Sequence, residues 1–131
     1  MSINLCLFGA GRIGRIHGAN IAAHPDATLK YIVDVDPAAA ARLASAHRAA
    51  AADVQAALAD ESVDGVVIAT STDTHLARIE AAASAGKAIF CEKPLDLDEA
   101  RARRSIEVAS AASVPLDVGF NRRYDPSFRR L

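Results

Sequence analysis

The chain has 131 residues, 51% of them hydrophobic and 24% charged, with a formal net charge of −1. That length suits one domain with a buried core, and the composition excludes an intrinsically disordered segment. A charge this close to neutral gives no bulk attraction to nucleic acid or anionic lipid, and no run of 18 apolar residues is available to cross a bilayer.

The N-terminus, Met1-Ser2-Ile3-Asn4, enters a strand-like segment with no charged leader or cleavable apolar region, so the expected compartment is the cytoplasm. Ile3–Phe8 is an apolar run with one interruption, the pattern of a strand buried on both faces. In Arg12–Ala23 the apolar residues Ile13, Ile16, Ala19 and Ile21 recur at near-helical spacing, and His24-Pro25-Asp26 stops that helix. Thr28–Asp34 is the second strand. Pro37 opens the next helix, which runs to Ala46, and Ala49–Ala51 forms a short third strand. Val54–Leu58 is a short helix capped by Asp53.

Val63–Ala69 is the clearest strand of the chain. Asp73–Ala85 is a helix closed by Gly86, with Thr72 or Asp73 as candidate caps. Lys87–Cys91 is a strand, Asp98–Ala112 an amphipathic helix and Pro115–Phe120 the last strand. About six strands alternating with helices predict an α/β fold: a doubly wound, open parallel sheet covered by helices on both faces. Cys6 and Cys91 fall in strands separated by a third. At about 4.8 Å per strand they stand roughly 10 Å apart, beyond disulfide reach, and both read as core thiols.

Gly9-Ala10-Gly11-Arg12-Ile13-Gly14 fits G-x-G-x-x-G and lies between the first strand and the first helix, where a dinucleotide turn belongs. Gly9 permits the tight turn, Gly11 lets a pyrophosphate approach the backbone, and Gly14 lets helix pack on strand. The N–H groups of Arg12 and Ile13 are placed to meet phosphate charge. Asp34 ends the second strand 20 residues after Gly14, at the spacing of the acidic residue that accepts the adenosine ribose hydroxyls. A carboxylate there repels a 2′-phosphate, which favours NAD over NADP. Asp36 is the rival, but Asp36-Pro37 reads as a helix start. The fold expected from both halves of this signature is a Rossmann-type domain.

Thr70 and Ser71 follow the fourth strand at the switch point of such a sheet and are assigned to the cofactor's nicotinamide side. His75 is assigned there too, with a structural role as the alternative. His17 either faces the cofactor or supports the first helix, while His24 and His47 read as surface residues. Arg101, Arg103 and Arg104 form a solvated helix face. Arg122, Arg123, Arg129 and Arg130 make a basic C-terminal end too small to argue for nucleic acid. No metal site is expected.

Glu92-Lys93-Pro94 directly follows the apolar run Ala88-Ile89-Phe90-Cys91. A lysine at the mouth of a sheet, fixed by the proline ring after it, is placed to hold its ammonium in a cleft; a solvated lysine in an ordinary turn is the alternative. The Lys93-Pro94 bond is a candidate for the cis form.

Four stretches in this order carry a family resemblance: Gly9–Gly14; Ala69-Thr70-Ser71-Thr72-Asp73-Thr74-His75; Cys91-Glu92-Lys93-Pro94-Leu95; and Gly119-Phe120-Asn121-Arg122-Arg123-Tyr124-Asp125. Together they resemble the N-terminal domain of the glucose–fructose oxidoreductase, inositol dehydrogenase and rhizopine-catabolism family (Gfo/Idh/MocA). The last stretch is most similar to the myo-inositol 2-dehydrogenases. The resemblance implies an NAD-dependent dehydrogenase of a cyclic polyol or sugar. It makes Lys93 the catalytic lysine beside the nicotinamide and Pro94 its cis neighbour, and it places Glu92 against the nicotinamide end. It also implies that Asn121 and Arg122 bind the polyol and that Arg123 pairs structurally with an acidic residue.

Family members carry a second α/β domain with an Asp and a His that complete the proton relay, and they associate mostly through it. Residues 1–131 are therefore expected to be the cofactor-binding part of a longer, possible homo-oligomeric enzyme, inactive by themselves. A stand-alone dinucleotide-binding module is the alternative.

Overall fold

The computed structural model describes residues 2–130; Met1 and Leu131, counted in the expected domain, lie outside the described residues. The described residues form six strands: β1 (Ile3–Phe8), β2 (Ala27–Val33), β3 (Ala50–Ala51), β4 (Gly65–Ile68), β5 (Ala88–Glu92) and β6 (Leu116–Gly119). They pair in parallel in the order β3-β2-β1-β4-β5-β6. Between them run the helices α1 (Arg12–Ala23), α2 (Pro37–Ala46), α3 (Val54–Ala59), α4 (His75–Ser84) and α5 (Glu99–Ala111), and a short α6 (Pro126–Arg129) follows. This is the doubly wound sheet that the alternation of periods predicts.

Register decides what the sheet presents at its carboxyl edge. Phe8 stands opposite Val33 on one side and Ile68 on the other, and Ile68 stands opposite Cys91. The residues that follow those strand ends, Gly9, Asp34, Ala69 and Lys93, therefore emerge along one edge, around the switch point between β1 and β4.

Local chemistry sets the helix ends. Asp36 accepts the Ala38 N–H at 3.0 Å with Pro37 in the first turn, Asp53 accepts from Ala56 at 2.7 Å, and Asp98 accepts from Arg101 at 3.0 Å. Such caps contribute about 1 kcal/mol each. Gly86, at φ +71°, closes α4. The start of α4 differs from expectation. It is preceded by a 3-10 turn over Thr72–Thr74, and neither Thr72 nor Asp73 caps it. The tight turn brings the Thr74 hydroxyl back instead, donating to the Ser71 carbonyl at 2.7 Å, with the Thr70 hydroxyl 2.7 Å away.

Two apolar layers flank the sheet. On one face α1 and α2 pack Ile21, Ala40 and Leu43 on Leu7, Leu29 and Ile32. On the other, α3 and α4 pack Ala57, Ile79 and Ala82 on Cys6, Phe8, Ile68 and Cys91. Both cysteines are free and buried, with β4 between their strands, and burial pushes each thiol up to about 12.

The expected cover on both faces is incomplete. Beside α1, the face over β4–β6 is an open groove of about 380 Å³ bordered by Leu5, His17, Val67, Ala88, Phe90 and Asp117. The apolar spacing of α1 does not all point to the core: Gly14, Gly18 and Ile21 are buried, whereas Ile13 and Ile16 are 41% and 50% exposed. Ile13, Ile16 and His17 lie at i, i+3 and i+4, so they share one side of the helix, and His17 places that side along the groove.

Candidate cofactor and active site at the carboxyl edge

The turn after β1 is built by its glycines. A methyl at Gly14 would fall 1.9 Å from the Gly9 carbonyl oxygen, so helix and turn touch backbone to backbone. Gly9 sits at φ +111°, and a methyl there would meet the Ala69 carbonyl oxygen at 2.4 Å. Gly11 differs: a methyl would meet nothing within 4 Å. No protein atom requires a glycine there, so the bare backbone leaves room for something that is not protein. Gly11 is also the N-cap of α1 and offers no side chain to the helix terminus. Arg12 and Ile13 thus begin the helix beside an open, electropositive end.

Asp34 is tied into this turn. One carboxylate oxygen accepts the Ala10 N–H at 2.7 Å and the other accepts the Asp36 N–H at 2.8 Å. These bonds hold the carboxylate at the tip of β2 beside the glycine turn. Asp36 is engaged as the cap of α2, as its proline neighbour predicts. Asp34, Val35, Thr70 and Arg78 border a crevice of about 180 Å³ whose floor is Phe8 and Val33. Ser71 stands exposed beside Thr70.

On the β5 side, Glu92 is fixed from two directions. His17 Nε2 donates to its Oε1 at 2.7 Å, and the Lys93 N–H donates to Oε2 at 3.2 Å. The His17 ring also stands edge-on to Phe90, 5.5 Å between centroids. Lys93 is exposed just past the end of the strand, and its bond to Pro94 is cis. Among the described residues, no carboxylate or imidazole bonds the Lys93 ammonium.

His75 does not reach this surface, which corrects its assignment to the cofactor. It is 1% exposed, with Nε2 3.1 Å from the Thr70 carbonyl oxygen and Nδ1 3.1 Å from those of Pro94 and Leu95. It ties the loop after β4 to the loop that carries Lys93 and Pro94.

Asn121 and Arg122 follow β6 in a 3-10 turn and are exposed. Arg122 lies over the Phe128 ring at 5.0 Å. Arg123 lies over Phe120 at 5.6 Å, so it stacks on an aromatic face instead of pairing with an acid as expected. Arg101 is not merely solvated either. It bonds Asp96 at 3.1 Å and the Asp73 carbonyl at 3.2 Å, bracing the loop after β5. His47 is half-buried against Gly18, a second departure from the surface reading.

Glycine turn, acidic strand tip and Glu-Lys-Pro loop thus share one edge of the sheet. Residues 3–120 match the family described as "Oxidoreductase family, NAD-binding Rossmann fold". The chain belongs to the Gfo/Idh/MocA family. Among Gfo/Idh/MocA relatives, an inositol 2-dehydrogenase of Rhizobium meliloti (strain 1021) is 47% identical over 128 residues, covering 98% of this chain and 39% of that protein. A myo-inositol dehydrogenase structure from Corynebacterium glutamicum superposes with a TM-score of 0.90 at 42% identity, covering 99% of this chain and 39% of that one. A scyllo-inositol dehydrogenase from Lactobacillus casei, with bound NAD(H) and scyllo-inositol, gives a TM-score of 0.91 at 30% identity over 99% of this chain and 39% of that one. The chain thus spans about 39% of the length of these Gfo/Idh/MocA members.

Two placements escaped sequence reasoning. The His17–Glu92 bond joins residues 75 apart, and only the return of β5 to the neighbourhood of α1 makes it. Lys87 is 6% exposed, its ammonium donating to the carbonyls of Asp60 at 2.9 Å and Val63 at 2.8 Å. A lysine at a strand start gives no local sign of such burial. For His17, the available signal was its position three residues past Gly14.

Proposed function

We propose that this chain is the NAD-binding part of a dehydrogenase acting on a cyclic polyol or sugar of the inositol type. The observation that carries the reading is the convergence of Gly11, Asp34, Thr70 and Lys93 on one edge of the sheet, set by strand register. The residues fit the cofactor: Gly11 leaves a space that no protein atom fills, next to the uncapped terminus of α1.

In this reading the N–H groups of Arg12 and Ile13, with Gly9 and Gly14 shaping the turn, bind the pyrophosphate. Asp34 accepts the adenosine ribose hydroxyls and repels a 2′-phosphate. Thr70 borders the crevice beside Asp34 and stands between the two ends of the dinucleotide; Ser71, Glu92 and Pro94 line the nicotinamide side, and His17 holds the Glu92 carboxylate in one orientation. Bound NAD supplies the hydride acceptor. Lys93 directs its ammonium at the substrate oxygen and stabilises the alkoxide left when the hydroxyl proton passes to an Asp–His base of the family's second domain. Collapse of that alkoxide to a carbonyl releases the hydrogen on carbon as hydride. Asn121 and Arg122 supply directed donors to neighbouring hydroxyls. His75 acts indirectly, by fixing the Lys93 loop.

Calorimetric titration of the chain with NAD and NADP tests the cofactor reading. NAD is expected to bind more tightly, and Asp34→Ala to remove most of that preference. Equal binding of both by the wild type, or binding of neither, overturns it. For catalysis, the segment can replace the matching 128 residues of the Rhizobium meliloti relative. Lys93→Ala in that chimaera is expected to keep NAD affinity and lower turnover by about two to four orders of magnitude. Unchanged turnover removes Lys93 from the chemistry, whereas a chimaera that binds NAD but does not turn over favours a binding module. The 131-residue chain by itself is expected to bind NAD without oxidising myo-inositol.

A further inference from the structure

The crevice beside Asp34 contains a group that the cofactor reading leaves unused. Arg78, on α4 one turn after His75, reaches its wall, opposite an apolar floor of Phe8 and Val33. The Arg78 Nε is buried and has no hydrogen-bond partner, the one such buried side-chain atom among the described residues. Asp34 and Asp53 border the same crevice, yet no ion pair to Arg78 forms within 4 Å among the described residues. Asp34 is held by two backbone N–H groups and Asp53 by the cap of α3.

A buried, unpaired donor is costly, and folded proteins keep few of them. A guanidinium is permanently charged, flat and weakly hydrated, and it stacks readily on aromatic faces. An apolar floor, a flat cationic wall and a carboxylate at the rim fit an electron-rich aromatic base joined to a diol. We infer that Arg78 is a cofactor-binding residue that recognises the adenine base, its guanidinium against the ring while Asp34 takes the ribose. The inference rests on the NAD reading above and adds to it the residue that reads the far end of the dinucleotide.

Titration of wild type, Arg78→Met and Arg78→Lys with NAD, ADP-ribose and NADP provides the test. Arg78→Met is expected to weaken NAD and ADP-ribose alike, by about tenfold. Its thermal midpoint should be no lower than that of the wild type, because an unpaired buried donor is removed. Arg78→Lys, which keeps charge and stem but loses the flat fork, is expected to remain weakened and guards against misfolding of the first variant. If wild type binds NAD and both variants bind it equally well, the Arg78 assignment fails while the NAD reading stands. Loss of NADP binding alone would make Arg78 a 2′-phosphate reader and overturn the base assignment. Failure of wild type to bind NAD or ADP-ribose removes the reading on which the inference rests.

Discussion

An alanine methyl at Gly14 would fall 1.9 Å from the Gly9 carbonyl oxygen, whereas the same methyl at Gly11 meets nothing within 4 Å. Backbone cannot yield as a flexible side chain does, so Gly14→Ala must push α1 off the turn. It is expected to cost about 3 kcal/mol in urea unfolding. Gly11→Ala keeps an ordinary φ of −77° and is expected to change stability by less than about 1 kcal/mol, yet to abolish measurable NAD binding. Running unfolding and titration on both variants separates a glycine that the fold needs from one that the ligand needs. The place of each glycine in the motif predicts that division, close packing at Gly14 and open backbone at Gly11, and what faces each Cα agrees with it.

At the scale of elements, α4 is joined to the loop after β5 through His75, and a lone histidine in a first helical turn gives no sign of that. His75→Ala would leave the carbonyls of Thr70, Pro94 and Leu95 without this partner and open a cavity where a fully buried ring sat. The expected loss is about 2–4 kcal/mol, read from the denaturant midpoint. Most elements were legible from their periods, and boundaries moved by only a residue or two. The exception with consequences is α1. Its apolar spacing marks a helix, but Gly14, Gly18 and Ile21 are the buried residues and Ile13 and Ile16 face outward. Spacing reports that a helix has an apolar side; it does not report what covers that side.

Across the whole molecule, the amino edge of the sheet is held by charge and the carboxyl edge is left open for a ligand. Asp60 accepts from Lys30 at 2.7 Å and from the Tyr31 hydroxyl at 2.8 Å, while the Ser62 backbone and hydroxyl bond its other oxygen at 2.8 and 2.7 Å. The Lys30 ammonium above all, then the Ser62 and Tyr31 hydroxyls, hold its carboxyl well below the usual carboxylate range. A carboxyl lowered in the folded state contributes stability that is complete above its ordinary value of 3.8 and is lost as pH falls below it. Acid unfolding followed by circular dichroism should therefore show wild-type stability dropping below about pH 4. Asp60→Asn is expected to be less stable near neutrality and to have a shallower acid slope. An unchanged slope would remove Asp60 from the acid response.

Some of this protein follows from the sequence by itself because the relevant physics is local. Alternating apolar periods specify strands and helices, Asp36, Asp53 and Asp98 stand at helix starts, and the glycine turn with Asp34 predicts a dinucleotide at the carboxyl edge. Tertiary structure decided what depends on parts of the chain brought together from afar. It buried His75 among carbonyls of two loops, gave Glu92 its imidazole from α1, stacked Arg123 on Phe120, and left Arg78 Nε without a partner. The cost of burying a polar group depends on the partners it meets, and those are set by the strand order, which places β4 between β1 and β5.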